Sequence, residues 1–192
     1  GRRTGASGDL GKGEEKMRII AGKHRGRVLA QFRGMQVRPT SDRVKESFFQ
    51  ILGIKLQDAR VLDLFCGSGA LGLEALSRGA KEAVFNDLSP DSLSICKKNV
   101  AALGARGALV NGDFRTCLAR VTGKFDIVFA DPPYAMDVAA ETLSLLARRD
   151  LLAEQGVVVW ESEREESAPD GWTTVDRRSY GRTKIFFFAR QV

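Results

Sequence analysis

Between Arg60 and Glu161 short apolar runs alternate with stretches of helical spacing, and this alternation admits few folds. The runs Arg60–Leu64, Ala83–Asp87, Ala108–Asn111, Phe125–Ala130 and Gly156–Glu161 read as strands. Between them fall helices over Leu71–Ser77, from the Ser89 cap with Pro90 in its first turn, near Phe114–Val121 and near Val138–Arg148. Apolar strands separated by helices require a parallel sheet covered on both faces. The rhythm ends at Trp172–Val175 and Lys184–Ala189, which read as an antiparallel hairpin around Tyr180-Gly181. The expectation is an α/β fold on a mostly parallel seven-stranded sheet.

Residues before this region differ in charge. Of a total of +6 over 192 residues, residues 1–60 carry a net +8 and the remainder −2. Arg18-Ile-Ile-Ala and Arg27-Val-Leu-Ala flank Gly22-Lys23-His24-Arg25-Gly26, the pattern of a β-hairpin extension with cations on its loop. After Arg38-Pro39, Thr40 or Ser41 can cap a helix with Val44, Phe48, Ile51 and Leu52 on one face. Arg18, Lys23, His24, Arg25, Arg27, Arg38 and Arg43 lie among few acids, the electrostatic footprint of a phosphate-backbone partner, although a charge run can equally be a solvated face. Residues 1–16 read as a disordered leader or cloning remnant with Met17 as the natural start, 17–58 as the basic hairpin and helix, and 59–192 as the main domain. Three cysteines without CxxC spacing indicate neither a disulfide framework nor a metal site, and fit a reducing cytoplasm. No run approaches the length of a membrane span.

The first strand closes on Asp63-Leu64-Phe65-Cys66-Gly67-Ser68-Gly69-Ala70-Leu71-Gly72. This matches G-x-G-x-x-G, and Asp87 stands 20 positions after Gly67, as in a dinucleotide site. The glycines permit close backbone approach, and the helix start beyond them favours an anion, whether a pyrophosphate or an amino-acid carboxylate. Asp87 would accept from ribose hydroxyls in either case. Asp63, before the turn, can meet an α-amino group, which S-adenosylmethionine has and a nicotinamide dinucleotide lacks. Asp113 can accept from an adenine amino group, with Leu88 and Phe114 to sandwich the ring. Asp63 and Asp113 could also be a loop acid and a helix cap.

The fourth strand ends in Asp131-Pro132-Pro133-Tyr134. Two prolines have no N–H to give and restrict the backbone before them, so carbonyls can point outward beside the Asp131 carboxylate. Such acceptors suit a planar exocyclic amine, whose delocalised lone pair is a poor nucleophile until its hydrogens are bound. Tyr134 offers a flat face for a base. A strand end followed by a Pro-Pro turn is the plain alternative, but ligands in open α/β sheets bind outside the carboxyl ends of strands.

Taken with Met17-Arg-Ile-Ile-Ala-Gly-Lys-His-Arg-Gly-Arg, Arg38-Pro-Thr-Ser-Asp-Arg-Val-Lys-Glu and Tyr180-Gly-Arg-Thr, these motifs resemble the bacterial RsmD family over residues 17 to about 190. The resemblance implies a class I, Rossmann-like methyltransferase that uses S-adenosylmethionine to methylate the exocyclic N2 of a guanine in 16S ribosomal RNA. The substrate would be that RNA or a small-subunit assembly particle, the enzyme a cytoplasmic monomer, and no metal would be needed. It implies donor contacts at Asp63, Phe65, Gly67, Gly69, Asp87, Leu88, Asp113 and Phe114, and an amine site at Asp131, Pro132, Pro133 and Tyr134. Asn86-Asp87 departs from the Glu-x-Asp often found in relatives, so Asp87 is aligned with the ribose acid. A DNA adenine-N6 methyltransferase shares the tetrad but usually has a target-recognition region for which this chain lacks length. A protein-glutamine methyltransferase leaves the basic hairpin without purpose, an oxidoreductase leaves the tetrad idle, and a non-catalytic RNA-binding module leaves the cofactor residues idle. Glu163–Asp170 is acidic and loop-like and has no legible role.

Overall fold

The computed structural model describes residues 16–32 and 41–192. Arg38 and nearly all of the leader therefore lie outside the described residues. Helix α1 (Asp42–Leu52) starts where Ser41 Oγ accepts from Val44 N at 3.3 Å, and it buries Val44, Phe48, Phe49 and Leu52. A 3₁₀ turn, Gly53–Leu56, leads into β1 (Arg60–Asp63). There follow α2 (Ala70–Ser77), β2 (Glu82–Asp87), α3 (Pro90–Ala102), β3 (Gly107–Asn111) and α4 (Phe114–Arg120). The chain ends with β4 (Phe125–Ala130), α5 (Ala139–Arg148), β5 (Leu152–Ser162), β6 (Trp172–Tyr180) and β7 (Thr183–Arg190).

The seven strands form one sheet in the order β3-β2-β1-β4-β5-β7-β6. Pairing is parallel from β3 through β5, and β7 runs antiparallel to both neighbours. The connection reverses direction between β1 and β4, so the crevice at their carboxyl ends is the binding position of such a sheet. Asp63 and Asp131 stand on its two sides. β5 is longer than the apolar run that announced it, pairing at Leu152 with Phe125 of β4 and at Ser162 with Lys184 of β7.

Alternation along each strand divides the core in two. Val61, Phe85, Ile127, Phe129 and Val157 face α1, α2 and α3, whereas Leu62, Val128, Val158 and Trp160 face α4 and α5. Phe49 packs on Phe129 with ring centroids 5.5 Å apart. Ile19 and Leu29 of the N-terminal segment belong to the first of these clusters, so the basic extension shares the main core.

That segment is a hairpin with a single antiparallel bridge, Arg18 to Val28, flanked by Ile19 N to Arg27 O and Leu29 N to Met17 O. Two strands this short need outside support. Three buried polar side chains provide it. Glu74 accepts from Ile20 N at 2.8 Å and Ala21 N at 3.2 Å; Ser77 Oγ accepts from His24 N and donates to Ala21 O. Asn99 pairs both ways with Ala30 and also donates to Ser68 O at 2.9 Å. Gly22 fits because its φ is +87° and because a Cβ there would stand 1.9 Å from Ser77 O.

Candidate active site

Parallel register brings the ends of β1, β2, β4 and β5 to one edge: Asp63 pairs with Phe85 and Phe129, and Ala130 with Trp160. The residues singled out in the sequence at Asp63, Asp87 and Asp131 therefore surround one cleft. Asp63 is 2% exposed and its Oδ2 accepts from Gly72 N at 3.0 Å, which ties the strand end to the first turn of α2. Burial pushes its carboxyl up to about 7, against the pull of the Gly72 N–H and with a contribution from Asp87. A buried carboxylate of this kind is stabilised by an arriving cation.

Asp87 is fixed from two sides. Oδ2 accepts from Gly67 N and Oδ1 from Ser89 N, each at 2.9 Å, leaving two lone-pair positions for other donors. Gly67 and Gly69 take positive φ of +54° and +91°. A side chain at Gly69 would meet Cys96 Sγ at 2.7 Å, so the turn lies flat on α3. Asn86 braces the neighbouring loops by donating to Leu64 O and Gly112 O.

Asp113 caps α4, with Oδ1 accepting from Thr116 N at 2.9 Å. That N–H, with Arg115 as a lesser contribution, holds its carboxyl below the usual range. Leu88 is 70% exposed and free to cover a ring. Phe114, expected as the opposite wall, is 1% exposed and packs against the half-buried Phe65 at 5.8 Å. Its ring presents no face to the cleft, whereas Phe65 stays half-buried beside it. Helix periodicity explains the difference, since the first residue of α4 turns into the core that Leu118 also fills.

Beyond β4, Met136 N donates to Pro133 O at 2.9 Å and closes a turn that leaves Tyr134 70% exposed. Asp131 opens into the cleft, and its carboxyl is raised well above the usual range by lost solvation, then by Glu161 and Asp63. Water in the open cleft tempers that shift, but the two like charges act in the same direction. Glu161 escaped notice in the sequence; its only signal was its place at the end of the strand beside the tetrad. Arg164 also escaped notice. It donates to Tyr134 O, lies over the Tyr134 ring at 5.6 Å and pairs with Asp137 at 3.6 Å.

The basic residues are not gathered at this cleft. Helix α2 starts at the glycine turn and runs to the opposite edge of the sheet, and the hairpin loop sits at its far end, where Lys23 N donates to Ser77 O. Eight helical residues separate the two, about 12 Å at 1.5 Å per residue. Lys23 and Arg25 are exposed there, and Arg27 donates to Ala102 O at 2.8 Å. His24 is held below its ordinary pKa by burial, then by Lys23 and Arg27, and stays neutral at physiological pH. Arg18 is exposed on the hairpin, and Arg43 is exposed in the first turn of α1.

Among the described residues no group of three or more His, Cys, Asp or Glu side chains could hold a metal ion, and no helix is long and apolar enough to cross a membrane. A cavity of about 450 Å³ lined by Arg60, Val84, Leu109 and Arg120 contains no residue of the tetrad or glycine turn.

This strand order, with its glycine turn and strand-end acids, defines a class I, Rossmann-like methyltransferase fold. Within that class, the chain belongs to the RsmD family: the family model described as "Conserved hypothetical protein 95" matches residues 17–189. It is similar to ribosomal RNA small subunit methyltransferase D of Escherichia coli (strain K12), at 37% identity over 93% of this chain and 92% of the relative. The protein of that name from Haemophilus influenzae is 36% identical over 88% of this chain and 91% of its own. The solved structure of yhhF from Escherichia coli superposes with a TM-score of 0.83 at 34% identity, covering 92% of this chain and 99% of that one.

Proposed function

We propose that the protein transfers a methyl group from S-adenosylmethionine to the exocyclic N2 of a guanine in 16S ribosomal RNA. The observation that carries this reading is the tetrad at the end of β4, across the crevice from the buried Asp63 and the glycine turn. The names of the E. coli and H. influenzae relatives support the RNA substrate. The donor set fits this cofactor: Asp63 suits an ammonium, Asp87 keeps acceptor positions for hydroxyls, and Asp113 lies near them at the helix start.

When bound, S-adenosylmethionine supplies an electrophilic methyl on a sulfonium, so neither a metal nor a covalent enzyme intermediate is required. The protein's part is orientation and electrostatics. Asp131 and the Pro132 carbonyl accept from the N2 hydrogens and return density to the nitrogen. As the N–C bond forms and the S–C bond breaks, an N2 proton must leave. Asp131 or water takes that proton late in the step. Tyr134 offsets part of the cost of unstacking the guanine.

The test is labelled transfer from S-adenosylmethionine to naked 16S RNA and to small subunits lacking the modification, followed by mapping of the methylated base. One N2-methylguanine is the expected product. Label on adenine or on a protein amide would reject the proposal. Asp131→Ala should slow transfer by about 10²-fold or more with donor affinity retained.

A further inference from the structure

Arg164 lies in the acidic stretch after β5 and makes three contacts with the loop that carries the tetrad. Its guanidinium donates to the Tyr134 carbonyl, lies over the ring with its central carbon 5.6 Å from the centroid, and is paired with Asp137 at 3.6 Å. The backbone that carries it is itself anchored. Arg164 N donates to Ser162 Oγ at 3.1 Å, Ser162 Oγ also bonds Glu166, and Lys184 Nζ holds Glu163 O at 3.2 Å.

We propose that Arg164 is a positioning residue for the target base: it covers one face of Tyr134 and fixes the loop carbonyl, so that the other face stands ready as the stacking platform. This rests on the methyl-transfer reading above. Pro132 and Pro133 restrict the backbone as far as Tyr134, but nothing in their chemistry sets the ring, which is 70% exposed. The guanidinium does so in two ways, by standing over the ring and by donating one N–H to the carbonyl. Because Asp137 shares its charge, Arg164 serves as a support more than as a free cation for phosphate. A platform already in place removes an ordering step from base capture.

Single-turnover transfer at saturating small-subunit substrate tests this with Arg164→Ala, Arg164→Lys, Tyr134→Ala and the double variant. Arg164→Ala should lower the rate by about 10-fold, since a misplaced base loses orientation. Arg164→Lys should recover no more than about threefold of that, because an ammonium has neither plane nor fork. On the Tyr134→Ala background, removing Arg164 should cost less than about twofold further, as expected for two residues acting as one unit. Calorimetry should find donor affinity within about twofold of wild type, since this site lies apart from the glycine turn.

A wild-type rate for Arg164→Ala, full rescue by Lys, multiplied losses in the double variant, or an effect confined to RNA affinity would each overturn the assignment. Equal loss of donor binding and rate would make Arg164 a fold residue and overturn it too. If Tyr134→Ala is impaired while Arg164→Ala is normal, only this inference fails. A fully active Tyr134→Ala enzyme would remove the platform itself, and product on a base other than guanine would reject the parent reading.

Discussion

If Asp63 meets the donor's amine as proposed, donor binding becomes a proton-linked event whose sign and size follow from the surroundings of Asp63. With no cation beside it, its carboxyl stands at about 7, because burial disfavours the charge. An ammonium placed beside it should return it to its ordinary range near 3.9, so binding below neutrality must expel a proton. At pH 6 about nine-tenths of Asp63 is protonated, and about 0.9 proton should be released per donor bound. The donor's own α-amino group titrates near 7.8 and must be charged to bind, so above neutrality binding should take up a proton instead. Release and uptake cancel near pH 7.4, and affinity at pH 5 should be about 50-fold weaker than there. Calorimetry in buffers of different ionisation enthalpy counts these protons directly. Asp63→Asn keeps an acceptor for Gly72 N but has no charge, so it should lose about 1.5–3 kcal/mol of affinity at pH 7.4 and abolish the release at pH 6. Negligible proton release by the wild type at pH 6, or an Asn variant with unchanged affinity, would refute the assignment of Asp63 to the donor's amine.

The same group should act on stability. Because the folded state holds the Asp63 proton more tightly than the unfolded state, its contribution is fully present below about pH 4 and is lost as pH rises through about 7, on the order of 4 kcal/mol in all. Wild type compared with Asp63→Asn in urea melts across that range isolates it; a difference independent of pH would contradict the shift. Gly22→Ala places a Cβ 1.9 Å from Ser77 O in a backbone of φ +87°, so it should undock the hairpin and raise amide exchange at Ile20 and Ala21; unchanged exchange would count against that packing. Neutralising Lys23 and Arg25 should lower the salt slope of RNA binding by about one unit per lost phosphate contact. Rate at saturation should persist, and an unaltered slope would leave these residues as a solvated face.

The parallel sheet was legible because its central strands β1, β2 and β4, buried on both faces, read as apolar runs, and because α3 and α4 carry their own start signals. Ser89 and Asp113 cap α3 and α4 as their residue types allow. The strand-end acids were legible for a related reason, since topology converts ends scattered through the sequence into one edge. The plain alternatives also proved partly true: Asp113 is a helix cap, and Asp63 a backbone brace. One residue can do both, because a carboxylate has more acceptor positions than either duty uses. What sequence could not give was side-chain direction at element boundaries. Phe114 turns inward and Phe65 lies against it, a choice made by the packing of α4 rather than by any local pattern.

Arg164 and the hairpin loop mark the deeper limit. Charge counting treats every exposed cation alike, but here the densest basic run lies one helix length from the glycine turn, while an arginine in the most acidic stretch lies on the tetrad loop. Glu74, Ser77 and Asn99 cause the first of these placements. Their buried polar atoms need partners, the hairpin backbone supplies them, and leaving any one unsatisfied would cost about 1–3 kcal/mol. The hairpin is therefore held along α2 and α3 with its loop directed away from the catalytic edge. On the methyl-transfer reading proposed above, cations held there would meet phosphates only at a distance from the target base, so they would act on affinity and leave the geometry of transfer to residues at the strand ends.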